Sequence, residues 1–528
     1  MFFILIKTSP HLFLHCYYTL FTQINTIFVT TIFSIKNQQL NCTVNMKLIK
    51  YPLFIVLLSL SLLSCKTKKR ELANKEEDIK PNVIFLLVDD MGWKDLACYG
   101  SSFYETPNID RLAAMGVRFT NAYTPNPVSS PTRAAIMTGK YPSRVGITDW
   151  IPGDDPKDRI LMGPEDLHEL PLEEVTVAEI LKQEGYKTFF AGKWHLGAEG
   201  KLPTNQGFDI NIGGAHYGQP PGGYYSPYKN EMLEDGPEGE FLTDRLMNES
   251  MKFIHDNKDN PFYLHLAFYT VHTPIQANKQ YIEKFEKKRD QLKISKPVLL
   301  QDGDAFTVQN QTDAAYASMI YALDVNVGRL LDQLESLHLM DNTLIIFTSD
   351  NGGLTTLLNK NWEMPTSVVP LRAGKGWAYE GGLRVPFIVK PVGEPIEEQV
   401  SETPIISMDI YPTILDYLSV EQRPEQHVDA KSLYNLIEKR EPLDRESLFF
   451  HYPHYHSSGW KPGSAIRMGD WKLIHFYEDD TVELYNLKSD ISEKNDLSAM
   501  YPDKVAQLME QLKKTIEDTN SSLPTLNK

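Results

Sequence analysis

Two apolar runs that end in acidic pairs organise this chain. Val83-Ile84-Phe85-Leu86-Leu87-Val88 is apolar throughout, as expected of a strand buried on both faces, and it stops at Asp89-Asp90. Leu344-Ile345-Ile346-Phe347 has the same texture and leads into Asp350-Asn351. Between them the pattern predicts a helix over 176–184 closed by Gly185, strands over 188–191 and 261–268, and a long helix over 313–337. In that last helix Met319, Leu323, Val327, Leu330, Leu331 and Leu334 fall on one face at helical spacing. Helices alternating with fully apolar strands predict an α/β fold, its sheet covered on both faces. In such sheets sites form beyond the carboxyl ends of the strands, where Asp89, Asp90, Asp350 and Asn351 all fall.

The texture changes after about Asp429. Short strands are expected at 446–451, 465–468, 471–475 and 482–485, at hairpin spacing, followed by an amphipathic helix over 504–518. The expected division is a catalytic domain over 81–430 and a smaller antiparallel α+β subdomain over 431–528.

The first 65 residues differ in composition: they hold four lysines and no Asp, Glu or Arg. Met46 reads as the true start, with residues 1–45 as upstream sequence. Lys47 and Lys50 form a basic segment, 53–63 an apolar one, and Leu62-Leu63-Ser64-Cys65 resembles a bacterial lipobox with Cys65 as the lipidated residue. Residues 66–80 read as a polar tether. The expectation is an exported lipoprotein, periplasmic or anchored to the outer membrane, that meets the membrane only through its lipid. Without the leader, 49 Lys and Arg face 69 Asp and Glu. Nucleic acid is thereby excluded as a partner, and an anionic substrate needs a locally basic pocket. Of four cysteines only Cys98 lies beyond the leader and the lipid candidate, so no disulfide framework is expected.

Several short motifs carry chemistry. In Ser129-Ser130-Pro131-Thr132-Arg133 the proline suits a first helical position and Ser130 the cap. Ser129 is then expected just outside a helix N-terminus, where unpaired N–H groups favour an anion. The two acidic pairs offer hard oxygen ligands that suit Ca²⁺ or Mg²⁺ better than zinc. Lys193 and His195 stand two residues apart between Gly192 and Gly197, and His272 precedes Thr273-Pro274. Lys375 lies between Gly374 and Gly376, ahead of Glu380-Gly381-Gly382-Leu383-Arg384-Val385-Pro386. Each motif alone also reads as a cap, a strand-end turn or a solvated loop.

Taken in order, the set resembles the formylglycine-dependent sulfatases of the alkaline phosphatase superfamily. Thr106-Pro107-Asn108-Ile109-Asp110, Gly207-Phe208-Asp209 and Glu483-Leu484-Tyr485-Asn486-Leu487 extend the resemblance over nearly the whole mature chain. It implies a mixed, mostly parallel sheet flanked by helices, with a smaller C-terminal antiparallel domain. It also implies that Ser129 is oxidised to formylglycine by a maturation enzyme, here of the anaerobic radical type, because many relatives carry cysteine at this position. Asp89, Asp90, Asp350 and Asn351 match the ligands of one Ca²⁺, with Mg²⁺ second. Arg133, Lys193 and Lys375 match the cations that hold the nucleophile and sulfate oxygens, and His195 and His272 the imidazoles that position the hydrate and protonate the leaving alcohol. Lys140 departs from the arginine often found after Thr138-Gly139.

The resemblance implies a sulfuric ester hydrolase. The alternatives are a phosphodiesterase or phosphonate monoester hydrolase of the same superfamily, or a non-catalytic carbohydrate-binding lipoprotein. The aromatic stretches 216–225 and 451–456 are candidate sugar-binding loops, with His216 and His454 as contacts, or else packed loops. Sulfated carbohydrates are the expected substrates, whether algal (ulvan, carrageenan, fucoidan) or glycosaminoglycan.

Overall fold

Apolar strands that must bury both faces find that environment only in the middle of a covered sheet. The computed structural model describes residues 80–153, 156–293, 296–396 and 398–527. The expected leader, Cys65 and the tether up to residue 79 lie outside them. Asn82–Val88 sits near the centre of a nine-stranded sheet. Across that sheet the order is Gln399–Ser401, Val117–Tyr123, Arg384–Lys390, Thr343–Ser349, Asn82–Val88, Phe262–Ala267, Lys187–Gly192 and Ile210–Ile212. Ile405–Ile406 also pairs with Val117–Tyr123. Arg384–Lys390 runs against both its neighbours, and the other pairings are parallel.

The two faces of the sheet explain the unbroken apolar runs. Ile84, Leu86 and Val88 join one core cluster with Leu323, Val327 and Leu330 of the helix Ala314–Ser336. Val83, Phe85 and Leu87 join another with Ile136, Met137 and Ile180. Both expected helices form. Val177–Gln183 is fixed by a capping box, in which Thr176 and Glu179 bond each other's backbone N–H at 3.1 and 2.8 Å. Asp313 caps the long helix through the N–H of Tyr316 at 2.9 Å.

One boundary differs from expectation. The helix carrying Ser129 spans Ser129–Thr138 with Val128 at its cap, so it starts two residues before Pro131. The first helical N–H groups have no partner inside the helix, so a proline at its third position costs no bond. Ser129 therefore belongs to the first turn, and it is buried.

The C-terminal strands Leu448–Tyr452, Gly463–Met468, Trp471–Phe476 and Thr481–Asn486 pair in sequence order as an antiparallel meander. Helix Pro502–Asp518 covers them with Leu508 and Leu512. This sheet shares a core cluster with Tyr123, Val128 and Ala135 of the larger sheet's surroundings. Phe450 packs on Tyr123 and Phe449 on Tyr141, with ring centroids 5.6 and 5.4 Å apart. Among the described residues no helix is long and apolar enough to cross a membrane.

Leu330→Ala should lower the unfolding free energy by about 3 kcal/mol, because it empties a fully buried site. Asp332→Ala on the same helix removes only an exposed pair to Arg111 and should cost no more than about 1 kcal/mol. Urea titration of the two variants distinguishes these outcomes.

Candidate active site

Parallel strands deliver their following loops to one edge. Asp89 and Asp90 follow Asn82–Val88, Asp350 and Asn351 follow Thr343–Ser349, Lys193 and His195 follow Lys187–Gly192, and the loop of His272 follows Phe262–Ala267. Helix Ser129–Thr138 points its N-terminus at the same place. Lys375 arrives on the loop ahead of the Glu380-Gly381-Gly382 turn. That turn presses on Asn351-Gly352: a Cβ on Gly352 would lie 1.9 Å from the Gly381 carbonyl oxygen.

Three buried carboxylates converge here, and oxygens of Asp89, Asp90 and Asp350 lie within 4.8 Å of one another. Each meets a different cation. Lys193 Nζ donates to both oxygens of Asp89 at 3.0 and 2.8 Å. Arg133 Nε donates to Asp350 at 2.9 Å, and its Nη1 to the Lys193 carbonyl at 2.7 Å. Lys375 Nζ lies 2.8 Å from Asp90 Oδ1. Asn351 donates to Asp90 at 2.7 Å. Ser129 Oγ is 3.1 Å from Lys193 Nζ, 3.2 Å from Asn351 Oδ1 and 3.3 Å from Asp89 Oδ1. Nine of the ten residues expected to carry metal binding and catalysis lie in this region; His195, two residues after Lys193, is buried with its Nε2 on the Ile151 carbonyl.

Burial drives the Lys193–Asp89 pair toward its neutral forms: it pushes Asp89 up to about 8, with Asp350 and Asp90 adding to it, and it lowers Lys193. Against burial, Arg133, Lys193 and Lys375 hold Asp350 well below the usual carboxylate range. Three converging carboxylates and an amide oxygen make a set of hard oxygen donors that fits a divalent cation such as Ca²⁺.

Burial pushes both imidazoles toward the neutral form. Burial, then Lys375, lowers His272 to about 3, and burial, then Lys193, takes His195 well below its ordinary value. His272 Nδ1 lies 2.8 Å from the Thr273 carbonyl, and its Nε2 3.7 Å from Asp90. His195 Nε2 lies 2.6 Å from the Ile151 carbonyl. Asp90 and His195 both hold positive φ, 59° and 57°, a strained backbone of the kind found at functional sites.

The other expected residues divide. His216 is exposed, its ring 4.1 Å from that of Tyr217, on a loop whose Gly218 abuts the His195 ring. His454 needs correction as a sugar contact. It is 1% exposed, with Nε2 2.9 Å from Thr148 Oγ1. Its ring is enclosed because the strand-following loop folds inward onto Thr148. Lys140 pairs with Glu174 at 2.6 Å and does not enter the cluster.

Two histidines at the site went unsingled in the sequence. His456 packs over Gly376, where a Cβ would lie 2.1 Å from its Nδ1, so it stands beside Lys375. Its only signal is a place in the aromatic stretch 451–456. His265 lies inside the sheet among Phe85, Phe190 and Phe208, and nothing in an apolar strand pattern marks it.

Comparison with known proteins gives the family. The family profile described as Sulfatase matches residues 81–420. A second, described as N-sulphoglucosamine sulphohydrolase, C-terminal, matches 373–522. A protein named Sulfatase from Formosa agariphila is 31% identical, over 86% of this chain and 90% of its own. An N-acetylglucosamine-6-O-sulfatase from Bacteroides thetaiotaomicron is 29% identical, over 88% and 90%. The crystal structure of Ps i-CgsB in complex with k-i-k-neocarrahexaose superposes with a TM-score of 0.66 at 29% identity, covering 82% of this chain and 92% of that one.

Burial, then Arg133, lowers His265 to about 3, so the folded protein leaves it neutral where the unfolded chain protonates it below about 6.5. Stability is therefore lost as pH falls from 6.5 toward 3, by up to about 1.4 kcal/mol per pH unit for this one group. His265→Phe should flatten the stability profile between pH 4 and 6 by that slope. Urea unfolding at three pH values reads it.

Proposed function

The chain belongs to the sulfatase family, and from that premise we propose that it is a serine-type, formylglycine-dependent enzyme. It is a sulfuric ester hydrolase, and its proposed substrates are sulfated saccharides. The observation that carries this reading is the position of Ser129 Oγ, within 3.3 Å of Lys193, Asn351 and Asp89 on the first turn of a buried helix.

In this reading Asp89, Asp90, Asp350 and Asn351 hold one Ca²⁺, which when bound supplies a Lewis acid beside residue 129. A maturation enzyme oxidises Ser129 to an aldehyde, whose hydrate supplies one hydroxyl to attack sulfur and a second to expel sulfate. The chain's own residues set up the rest. Lys193 and Lys375 direct ammonium groups at the sulfate oxygens, where negative charge grows during transfer. Arg133 clamps Asp350 and the Lys193 carbonyl, which fixes both the ligand and the lysine. The Thr273 carbonyl keeps a proton on His272 Nδ1, so Nε2 serves the departing alkoxide as general acid through the imidazolium, after it takes up a second proton. The Ile151 carbonyl keeps a proton on His195 Nε2, which leaves Nδ1, buried and without a hydrogen-bond partner, as an acceptor for a hydroxyl of the hydrate.

Two kinds of support point to the substrate class. One similar protein is named for a 6-O-sulfated amino sugar, and one similar structure contains a neocarrahexaose. Export as a lipoprotein anchored through Cys65 agrees with a polymeric substrate met outside the cytoplasm. It rests on the leader sequence, and intact-mass analysis of the mature N-terminus tests it.

Ser129→Ala should lower kcat on 4-methylumbelliferyl sulfate by about 10⁴-fold or more while leaving circular dichroism unchanged. Tryptic mass spectrometry should find residue 129 lacking two hydrogens in active protein. Asp350→Ala should lose both Ca²⁺ binding by calorimetry and turnover. Faster hydrolysis of an aryl phosphate diester than of the aryl sulfate would overturn the reading.

A further inference from the structure

A cleft of about 520 Å³ opens beside the catalytic cluster. His456 and Trp377 link the two. His456 packs on Gly376, the residue after Lys375, and Trp377 follows it. The far walls come from the C-terminal sheet and from the loop of Trp362. Its aromatic lining is Trp362, Trp377, Tyr455, Trp460 and Phe476. Trp377 and Trp460 meet edge to face at 6.1 Å, which fixes both rings. Trp362 is 52% exposed, a large apolar ring held open to solvent. Rings of this kind, set in a concave wall with polar neighbours, suit the apolar faces of a sugar.

The charges of the cleft are unlike those of the catalytic edge. Asp302, Asp304, Glu478, Asp479 and Glu483 outnumber Arg159, Arg372 and Lys461. Arg372 is taken by Asp302, at 2.7 and 3.0 Å, and Lys461 by Glu478 at 2.6 Å. Arg159 lies over the Tyr455 ring at 5.5 Å. A sulfate placed here meets a surplus of carboxylates, whereas an uncharged ring meets only hydroxyl acceptors and aromatic faces.

We infer that this cleft holds an unsulfated sugar ring of the substrate, next to the ring whose sulfate is removed. The protein then selects saccharides whose sulfates are isolated along the chain and discriminates against those sulfated on every ring. The inference rests on the sulfatase reading above and adds the charge state of the neighbouring unit.

The test uses glucose- and galactose-based disaccharides bearing one 6-sulfate, each paired with the same disaccharide sulfated on both rings. The matured full-length protein should show kcat/KM at least tenfold higher on the singly sulfated member. Trp362→Ala should lower kcat/KM on that member about tenfold and leave 4-methylumbelliferyl sulfate turnover within twofold, since that ester does not reach the cleft. Asp304→Lys combined with Asp479→Lys should narrow the preference. Equal or greater activity on the doubly sulfated member, or an equal loss on both esters in Trp362→Ala, overturns the inference. A second measurement needs no turnover. Unsulfated cellobiose and lactose are titrated into Ser129→Ala protein, and tryptophan fluorescence should change for one of them and lose that change in Trp362→Ala. No change with either sugar overturns the cleft assignment. A response to sugar without hydrolysis of any sulfate ester by the matured protein overturns the sulfatase reading instead.

Discussion

The structure depends on keeping three carboxylates buried at the ends of parallel strands. Each of Asp89, Asp90 and Asp350 loses its hydration, a cost of several kcal/mol per ion that only close opposite charges offset. The offsetting cations come from three separate places: Arg133 from a helix, Lys193 from the end of a strand, Lys375 from a loop. No local segment holds a balanced set. The site therefore exists only when the sheet, the helix and the loop are all in register. Its electrostatics and its fold are one constraint. In the proposed reading, an ammonium that neutralises a carboxylate here would turn to an incoming sulfate where a divalent ion held that carboxylate.

A second buried cluster steadies the backbone beside Asn351. Glu380 receives Lys472 at 3.0 Å and Arg384 at 2.9 Å, and Lys472 also meets Glu493 at 2.8 Å. Tyr123 donates to Glu380 at 2.7 Å and accepts from Arg384 and Arg467. Lys472 and Arg467 belong to the C-terminal sheet, and Arg384 and Tyr123 to the large one. The bonds converge on the first residue of the Glu380-Gly381-Gly382 turn. That turn donates nothing to chemistry itself, but the Gly382 carbonyl accepts the Gly352 N–H at 2.9 Å. The C-terminal sheet thus steadies the backbone immediately after Asn351. Replacing such a network with apolar residues is often harmless to stability, so its value here lies in fixing one geometry.

How much of this was legible in the sequence follows from range. The runs at 83–88 and 344–347 and the stripe from Met319 to Leu334 are short-range signals of burial, and the sheet and long helix follow from them. The acidic pairs were visible because a carboxylate just past an apolar strand has no packing role. The start of the helix at Ser129 was displaced because proline tolerates any of the first helical positions, so it marks the first turn without numbering it. His454 looked available because an aromatic stretch shows no direction. Only the fold turns that ring onto Thr148 and the His456 ring onto Gly376. The charge balance of the cleft was invisible for the same reason: Asp302 and Asp304 are distant in sequence from Glu478, Asp479 and Glu483, and only the fold sets them around one cleft.

Net charge sharpens the point about substrate. With a formal charge of −16 the protein repels sulfated polymers at a distance. Attraction must be short-ranged, because at physiological ionic strength fields decay within about 8 Å. In the proposed reading Lys193 and Lys375 meet the sulfate inside that range, in a largely buried setting where screening is weak. The neighbouring ring gains nothing similar from the carboxylates of the cleft, so charge on it only adds to the repulsion. An anionic protein with a small cationic pocket is thereby biased toward substrates that bring one sulfate to the pocket and little charge beside it.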